Sequence, residues 1–395
     1  MFTQIMIFPV KVLGYFGKVI FAIIRLPLIN TFYSTRTTHR TKPKLRHINN
    51  AKTIVLVEYP RVSLPSHVKG GDSSVHDDLI RVLTSAGYKV EKIHYDPNFP
   101  VKSQFLKFLI GMPYIYSQII HHHASHYDLF ICDSRVVWDL GDLPVIALFH
   151  DSYLGYLKLV GASWNPLGYL NSLVMSKIQV IGTRNTRNIA VSDFLKDILE
   201  TSGIKVAKVI NNGIDTEVFK PPTTQPKLLP NKLLYLGGYS YLGKGLDIIR
   251  HLGKLGFHID CVTNRKISNW PNITFLPQVK RSETIKSYLD HALTIYPSRF
   301  ESCQMVPLES MACGTPVVIS AVGIGQDLVQ IIPDFVVSGY SDKSVSEYSQ
   351  KIHKIMANRD HYSKLAREYV IERHNLKDFG SAWIKTIEDF YANTL

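Results

Sequence analysis

Residues 297–327, PSRFESCQMVPLESMACGTPVVISAVGIGQD, constrain the fold of this chain more than any other stretch. The preceding LTIYPS reads as a strand running into the loop RFESCQM. A helix is expected from about Val306 and Pro307, with Gly314 to end it, and the β-branched run Val317-Val318-Ile319 is the next strand, closed by the Gly323/Gly325 loop. Such a βαβ unit carries its loop on the carboxyl side of the first strand, where open α/β sheets bind ligands. Glu301 in the loop and Glu309 one turn into the helix bracket the helix start. Backbone N–H groups at that start suit an anion such as phosphate, and Glu309 can accept hydrogen bonds from hydroxyls. Free N–H donors beside two carboxylates fit a phosphate plus a polyol. Taken alone, an E-x7-E spacing is more often a decorated helix and loop than a site.

A chain of 395 residues with 45% hydrophobic and 19% charged residues is long for one core and comfortable for two domains. Its four cysteines, Cys132, Cys261, Cys303 and Cys313, follow no metal or disulfide spacing and fit a reducing compartment. The net charge of +13 points to an anionic partner. Eight Lys and Arg and no acid fall in the first fifty residues, leaving the rest mildly basic. With no zinc-finger spacing, RNP-like motif or recognition-helix pattern, nucleic acid is a poor candidate.

Residues 10–26 lie between two prolines and are apolar except for Lys11, Lys18 and Arg25, which are seven apart and so line one stripe of a helix. Uncharged runs of about ten residues fall short of a membrane span. A helix lying in the interface of an anionic membrane is the favoured reading. A tilted signal-anchor and a partner-docking helix are the alternatives. Membrane contact places the protein on the cytoplasmic side, peripheral or monotopic.

Further along, TIVLVEY (53–59) reads as a strand, Gly70-Gly71 as a turn where backbone can approach a ligand, and about 73–86 as a helix capped by Gly87. IIHHHASH (119–126) puts only His122 and His126 on one helical face with no acid nearby, so it reads as a solvated helix end rather than a metal site. LPVIALFH is a buried strand that ends on His150-Asp151 at a crevice rim, a pair more often structural than catalytic. Residues 221–230, with four prolines, read as a linker. KLLYLGGYSYLGKGLDIIRHLGK then gives strand, glycine-rich loop and helix, with apolar Leu246, Ile249, Leu252 and Leu255 and with Lys244 at the helix start, where it and the helix dipole face a diphosphate.

PSRFESCQMVPLESMACGTPVV closely resembles the donor-site signature of the retaining GT-B glycosyltransferases of family 4, E-G-F-G-x-x-x-L-E-A-M-A-C-G-x-P-V-V. Glu301, Leu308, Glu309, Met311 to Gly314 and Pro316 to Val318 fall in register, while Ser302 and Gln304 replace glycines. Gly70-Gly71 match the family's first glycine loop, His150 its strand-end histidine, Asn212 to Asp215 with Phe219 its N-G-I-D turn, and Lys244-Gly245 its K-G pair. Gly238 stands where the family has a phosphate-gripping Arg, with Arg265, Arg281 and Arg299 as candidate substitutes.

The resemblance implies two facing Rossmann-like domains: an acceptor-side domain over 51–220 and a nucleotide-sugar domain over 231–376. It further implies a helix over 377–395 that crosses back to the first domain, after a membrane segment over 1–50. It implies a nucleotide-diphosphate sugar as co-substrate, no cofactor and no metal, and transfer with retention to a glycan or lipid-linked acceptor, such as lipopolysaccharide core or glycolipid. His150, Lys244 and Glu301 would be catalytic. Gly70, Gly71, Gly238, Lys244, Cys303, Gln304, Met305 and Val306 would hold the donor, with Glu309 on its ribose. The rivals are a silent GT-B membrane scaffold, suggested by Gly238, and an enzyme that glycosylates protein or nucleic acid.

Overall fold

In the computed structural model, the residues described are 27–29, 52–59, 71–96, 98–160, 166–222, 229–238, 241–264, 269–339 and 342–392. The amphipathic stretch 10–26, with Lys11, Lys18 and Arg25, lies outside them, as do Gly70 and Arg265. No helix among the described residues is long and apolar enough to cross a membrane.

Two six-stranded sheets, parallel throughout, organise the chain. The first contains β1 (Thr53–Val57), β2 (Lys89–Ile93), β3 (Leu129–Asp133), β4 (Val145–Phe149), β5 (Arg187–Ala190) and β6 (Lys208–Val209), in the order β2-β1-β3-β4-β5-β6. Its helices are α1 (Gly71–Ser85), α2 (Gln104–Ile110), α3 (Met112–His123), α4 (Tyr153–Val160), α5 (Pro166–Gly182) and α6 (Asp193–Thr201). β3 and β4 are buried at every position, which is why LFICD and VIALF read as continuous apolar runs rather than alternating ones.

The second sheet contains β7 (Leu229–Leu236), β8 (His258–Val262), β9 (Ile273–Leu276), β10 (His291–Tyr296), β11 (Val317–Ser320) and β12 (Val336–Val337), in the order β12-β11-β10-β7-β8-β9. Its helices are α7 (Leu246–Lys254), α8 (Arg281–Asp290), α9 (Met305–Ala312), α10 (Gly325–Ile331), α11 (Asp342–Ala357) and α12 (Arg359–Arg373). On α7, Leu246, Ile249 and Leu252 are fully buried, each worth about 1.5–3 kcal/mol relative to exposure. Leu255 follows the helix end and is exposed, because the turn through Gly256 (φ +96) carries it off the apolar face.

Several boundaries differ from the sequence reading. β7 starts at Leu229, inside the proline-rich linker, and its partner β10 pairs His291 with Leu229. β1 stops at Val57, which releases Glu58 and Tyr59 into the crevice loop. α1 starts at Gly71 and α9 at Met305. α3 ends at His123, so His126 lies in the following turn and does not share a helical face with His122. Among the described residues no three or more His, Cys, Asp or Glu are grouped to hold a metal.

α13 (Leu376–Ala392) returns from the second half to the first. It packs on α1, where Gly380 lies against Val82, and Thr386 accepts a hydrogen bond from Lys208 at 2.9 Å. The crossing is pinned at the N-G-I-D turn: Ile214 N donates to His374 O at 2.7 Å, and Leu376 N to Ile214 O at 3.0 Å. His374, buried, reaches Asn212 O at 3.0 Å. A smaller cluster joins Ile29 to Leu109, Ile110, Tyr114, Trp138, Val174 and Ile178, so Ile29 is seated among α2, α3 and α5.

Candidate functional site

Both sheets change strand direction of travel at a switch point, β1/β3 in the first and β7/β10 in the second, and crevices open there outside the strand ends. Loops from both halves enclose one cleft of about 670 Å3, within the size range of small-molecule sites.

The second-half wall is built from two loops pressed together. Gly245 has φ +69, and a Cβ there would lie 2.0 Å from Pro297 O, so only glycine lets the loop after β7 reach the loop after β10. This contact brings Lys244 to Glu301: Lys244 Nζ donates to Glu301 Oε1 and stands 5.9 Å from the Tyr296 ring centroid. Both line the cleft, as do Gly238, Cys303, Met305 and Val306. α9 begins here without a side-chain cap. Its N-cap residue, Gln304, instead turns inward, donating from Nε2 to Val322 O at 2.7 Å and accepting from Ile324 N at 2.8 Å. Gln304 is therefore a buried brace rather than part of the wall, a correction to its expected contact with donor.

Glu309 is also corrected. It is 5% exposed and outside the cleft lining, accepting from Arg281 Nε at 2.7 Å and from Tyr288 Oη at 2.9 Å. Burial pushes its carboxyl above the usual range, more than Arg281 and Tyr288 pull it down. Arg281 in turn donates to Asp78 of α1 at 3.1 Å and lies over the Phe219 ring, so this network ties the two halves together behind the cleft. Arg281 is thus no stand-in for the Arg absent at Gly238. Neither is Arg299, which grips Asp247 through two bonds of 2.8 and 2.6 Å and neutralises an acid in the first turn of α7.

The first-half wall holds His150, Asp151, Asp72 and Arg135. His150 follows β4, as its place at a strand end requires, and its Nε2 lies 2.9 Å from His76 Nε2. Burial, with His76 beside it, pulls its pKa down to about 3, so the ring facing the cleft is neutral. Arg135 lies between Asp133 (2.5 Å), Asp72 (2.8 Å) and Asp151 (3.3 Å), with its guanidinium 4.5 Å from the Tyr59 ring centroid. Burial works to raise the Asp133 carboxyl, yet Arg135 holds it below the usual range. Gly71 opens α1 against the other half: a Cβ there would meet Met305 Cγ at 3.3 Å.

The cleft thus brings together Gly71, His150, Gly238, Lys244, Glu301, Cys303, Met305 and Val306, and leaves out Gln304 and Glu309. Sequence reasoning put Asp151 with His150 at the crevice rim but missed Arg135 and Asp72 as cleft residues. Ser134-Arg135 follows the buried strand LFICD as His150 follows VIALF, and the same strand-end rule would have found Arg135. Chemically, one wall offers a cation and an uncapped helix start for a polyanion. The other offers a neutral imidazole and carboxylates for hydroxyls.

Residues 70–218 match the family model Glycosyltransferase Family 4, and residues 264–370 match Glycosyl transferases group 1. A D-inositol 3-phosphate glycosyltransferase of Mycobacterium marinum (strain ATCC BAA-535 / M) is 24% identical over 233 residues, 51% of this chain and 50% of that protein. The chain therefore spans about half the length of this curated relative. Sucrose-phosphate synthase from Thermosynechococcus elongatus superposes with a TM-score of 0.68 at 19% identity, covering 87% of this chain and 100% of that one. WaaG, a glycosyltransferase involved in lipopolysaccharide biosynthesis, gives 0.63 at 16%, covering 83% and 98%. At these identities the structural likeness is one of fold.

Proposed function

The chain belongs to the GT-B glycosyltransferases of group 1, and on that premise we propose that it moves a glycosyl group from a nucleotide-diphosphate sugar to an acceptor hydroxyl. The observation that carries this reading is Lys244 beside the uncapped start of α9, in a cleft shared by both halves. Cleaving a glycosyl–diphosphate bond needs stabilisation of an anionic leaving group and of an oxocarbenium-like centre. Lys244 and the N–H groups at Met305 and Val306 serve the leaving diphosphate. Glu301, held by Lys244, and neutral His150 position sugar hydroxyls. Transfer proceeds with retention and without a metal, the phosphate charge being met by protein cations and backbone dipoles.

The acceptor is a glycan or lipid-linked glycan, with lipopolysaccharide core and glycolipid as the classes proposed. The reaction is placed at the cytoplasmic face of an anionic membrane. The basic, acid-free residues 1–50 support that placement, and liposome sedimentation with and without them tests it.

The activity reading is tested by thermal stability against UDP-, GDP-, ADP-, CMP- and dTDP-sugars, in the wild type and in Lys244→Ala. A ligand at about 100 times its dissociation constant adds about 2.7 kcal/mol. One nucleotide stabilising the wild type alone identifies the donor. No stabilisation by any of them favours the silent scaffold, to which Gly238 in place of an Arg is the pointer.

A further inference from the structure

Behind the cleft wall a line of polar groups leads to His150 that the scheme above leaves idle. Glu58 follows β1, His76 sits in the second turn of α1, and His150 follows β4. Lys92 Nζ donates to Glu58 Oε1 at 2.7 Å and to Asp77 at 3.0 Å. Glu58 Oε1 stands 3.2 Å from His76 Nδ1, and His76 Nε2 stands 2.9 Å from His150 Nε2, the rings crossing edge to face at 68°. His76 is 3% exposed.

Two imidazole nitrogens at 2.9 Å share one proton between them, since two lone pairs repel there and so do two N–H groups. Glu58 decides which one donates. With the His76 proton on Nδ1, an N–H faces the carboxylate, and bare Nε2 accepts from His150 Nε2–H. The opposite tautomer turns the Nδ1 lone pair on a carboxylate oxygen 3.2 Å away, a repulsion with nothing between to screen it. The Glu58 contact is bent, leaving Nδ1 without a well-aligned hydrogen bond, so the selection is electrostatic. Asp133, Asp72 and Arg135 complete the charges around His150.

We propose that Glu58 and His76 are positioning residues that fix His150 as its Nε2–H tautomer, so that its remaining nitrogen, Nδ1, meets the cleft as an acceptor for a substrate hydroxyl. The identity of that hydroxyl as a sugar's rests on the glycosyl-transfer reading; the tautomer does not. A wall that offers an acceptor here selects hydroxyl donors over fluoro or deoxy analogues, because a bare nitrogen facing a group that cannot donate loses its bond.

The test is long-range 1H–15N correlation on the full chain with 15N-histidine, the His150 pattern being assigned by its loss in His150→Asn. Bare Nδ1 and protonated Nε2 are expected in the wild type. Glu58→Gln can turn an amide N–H on His76 Nδ1, so it should reverse both rings to place the His150 proton on Nδ1. It should also lower kcat/KM about tenfold to a hundredfold. His76→Phe keeps ring volume and removes the acceptor, so His150 should populate both tautomers, and it serves if Glu58→Gln does not fold. A wild-type proton on Nδ1, or a pattern unmoved by both variants, overturns the proposal. The expected tautomers in a protein that turns over no nucleotide sugar would sink the glycosyl-transfer reading and leave the relay standing.

Discussion

Replacing Glu309 by Ala should damage the fold before it damages any ligand contact. Its side chain is 6% exposed and that of its partner Arg281 25%. Removing one member of a buried pair costs about 3–5 kcal/mol, because the other charge is stranded. Arg281 keeps Asp78 at 3.1 Å and some solvent, which reduces the loss, whereas fully buried Tyr288 loses an acceptor, which adds about 1 kcal/mol. The expected net is about 2–4 kcal/mol. Urea unfolding of the wild type, Glu309→Ala, Arg281→Met and the double variant reads it directly. The double variant should cost less than the two single losses summed, by about 1–3 kcal/mol. Glu309→Ala within about 0.5 kcal/mol of the wild type, with strictly additive losses, would refute the reasoning and return Glu309 to the donor site.

Lys244→Ala should leave stability within about 1 kcal/mol, since the lysine side chain is 32% exposed, but lower kcat about a hundredfold to a thousandfold in a transfer assay. Gly238→Arg should bind donor more tightly by calorimetry: a Cβ at Gly238 meets nothing within 4 Å, so the backbone there accepts a side chain, and a guanidinium on it would add a fork for the diphosphate. Acid should destabilise the protein early. His150 and His374, pulled by burial from about 6.5 to about 3 and about 4, stay neutral in the fold while the unfolded chain takes up protons. Stability therefore falls as pH drops below about 6.5, by about 1.4 kcal/mol per pH unit for each ring. His374→Gln should flatten the pH dependence of the urea midpoint by about one proton.

The fold was legible because its strands are buried on both faces, and runs such as VIALF and VVIS have no other reading. Lys244 and Glu301 were each legible as cleft residues because both lie in loops that follow strands, where topology dictates a crevice, but their pairing was not. What escaped was direction. Glu309 lies one turn into α9, and whether it points to the cleft or to Arg281 depends on where α8 packs, some twenty-eight residues away in sequence. Gln304 likewise has a partner segment at Val322–Ile324 that spacing does not reveal. Arg135 was open to the strand-end rule; what spacing does not reveal is that Asp72 and Asp151 arrive from two other segments to hold it.

The return of α13 to α1 bears on how the chain is made. A ribosome delivers the first sheet long before residues 376–392, yet the last helix supplies buried Trp383, Ile387 and Phe390. Until then the nascent first half carries an uncovered apolar strip around Val82, and the Asn212 turn lacks the strand-like clasp of Ile214 on Asn375. Synthesis order and completion order are thus opposed: the half translated first is finished last. A stop codon at position 376 would leave the second sheet intact and leave the first one for chaperones and proteases to find.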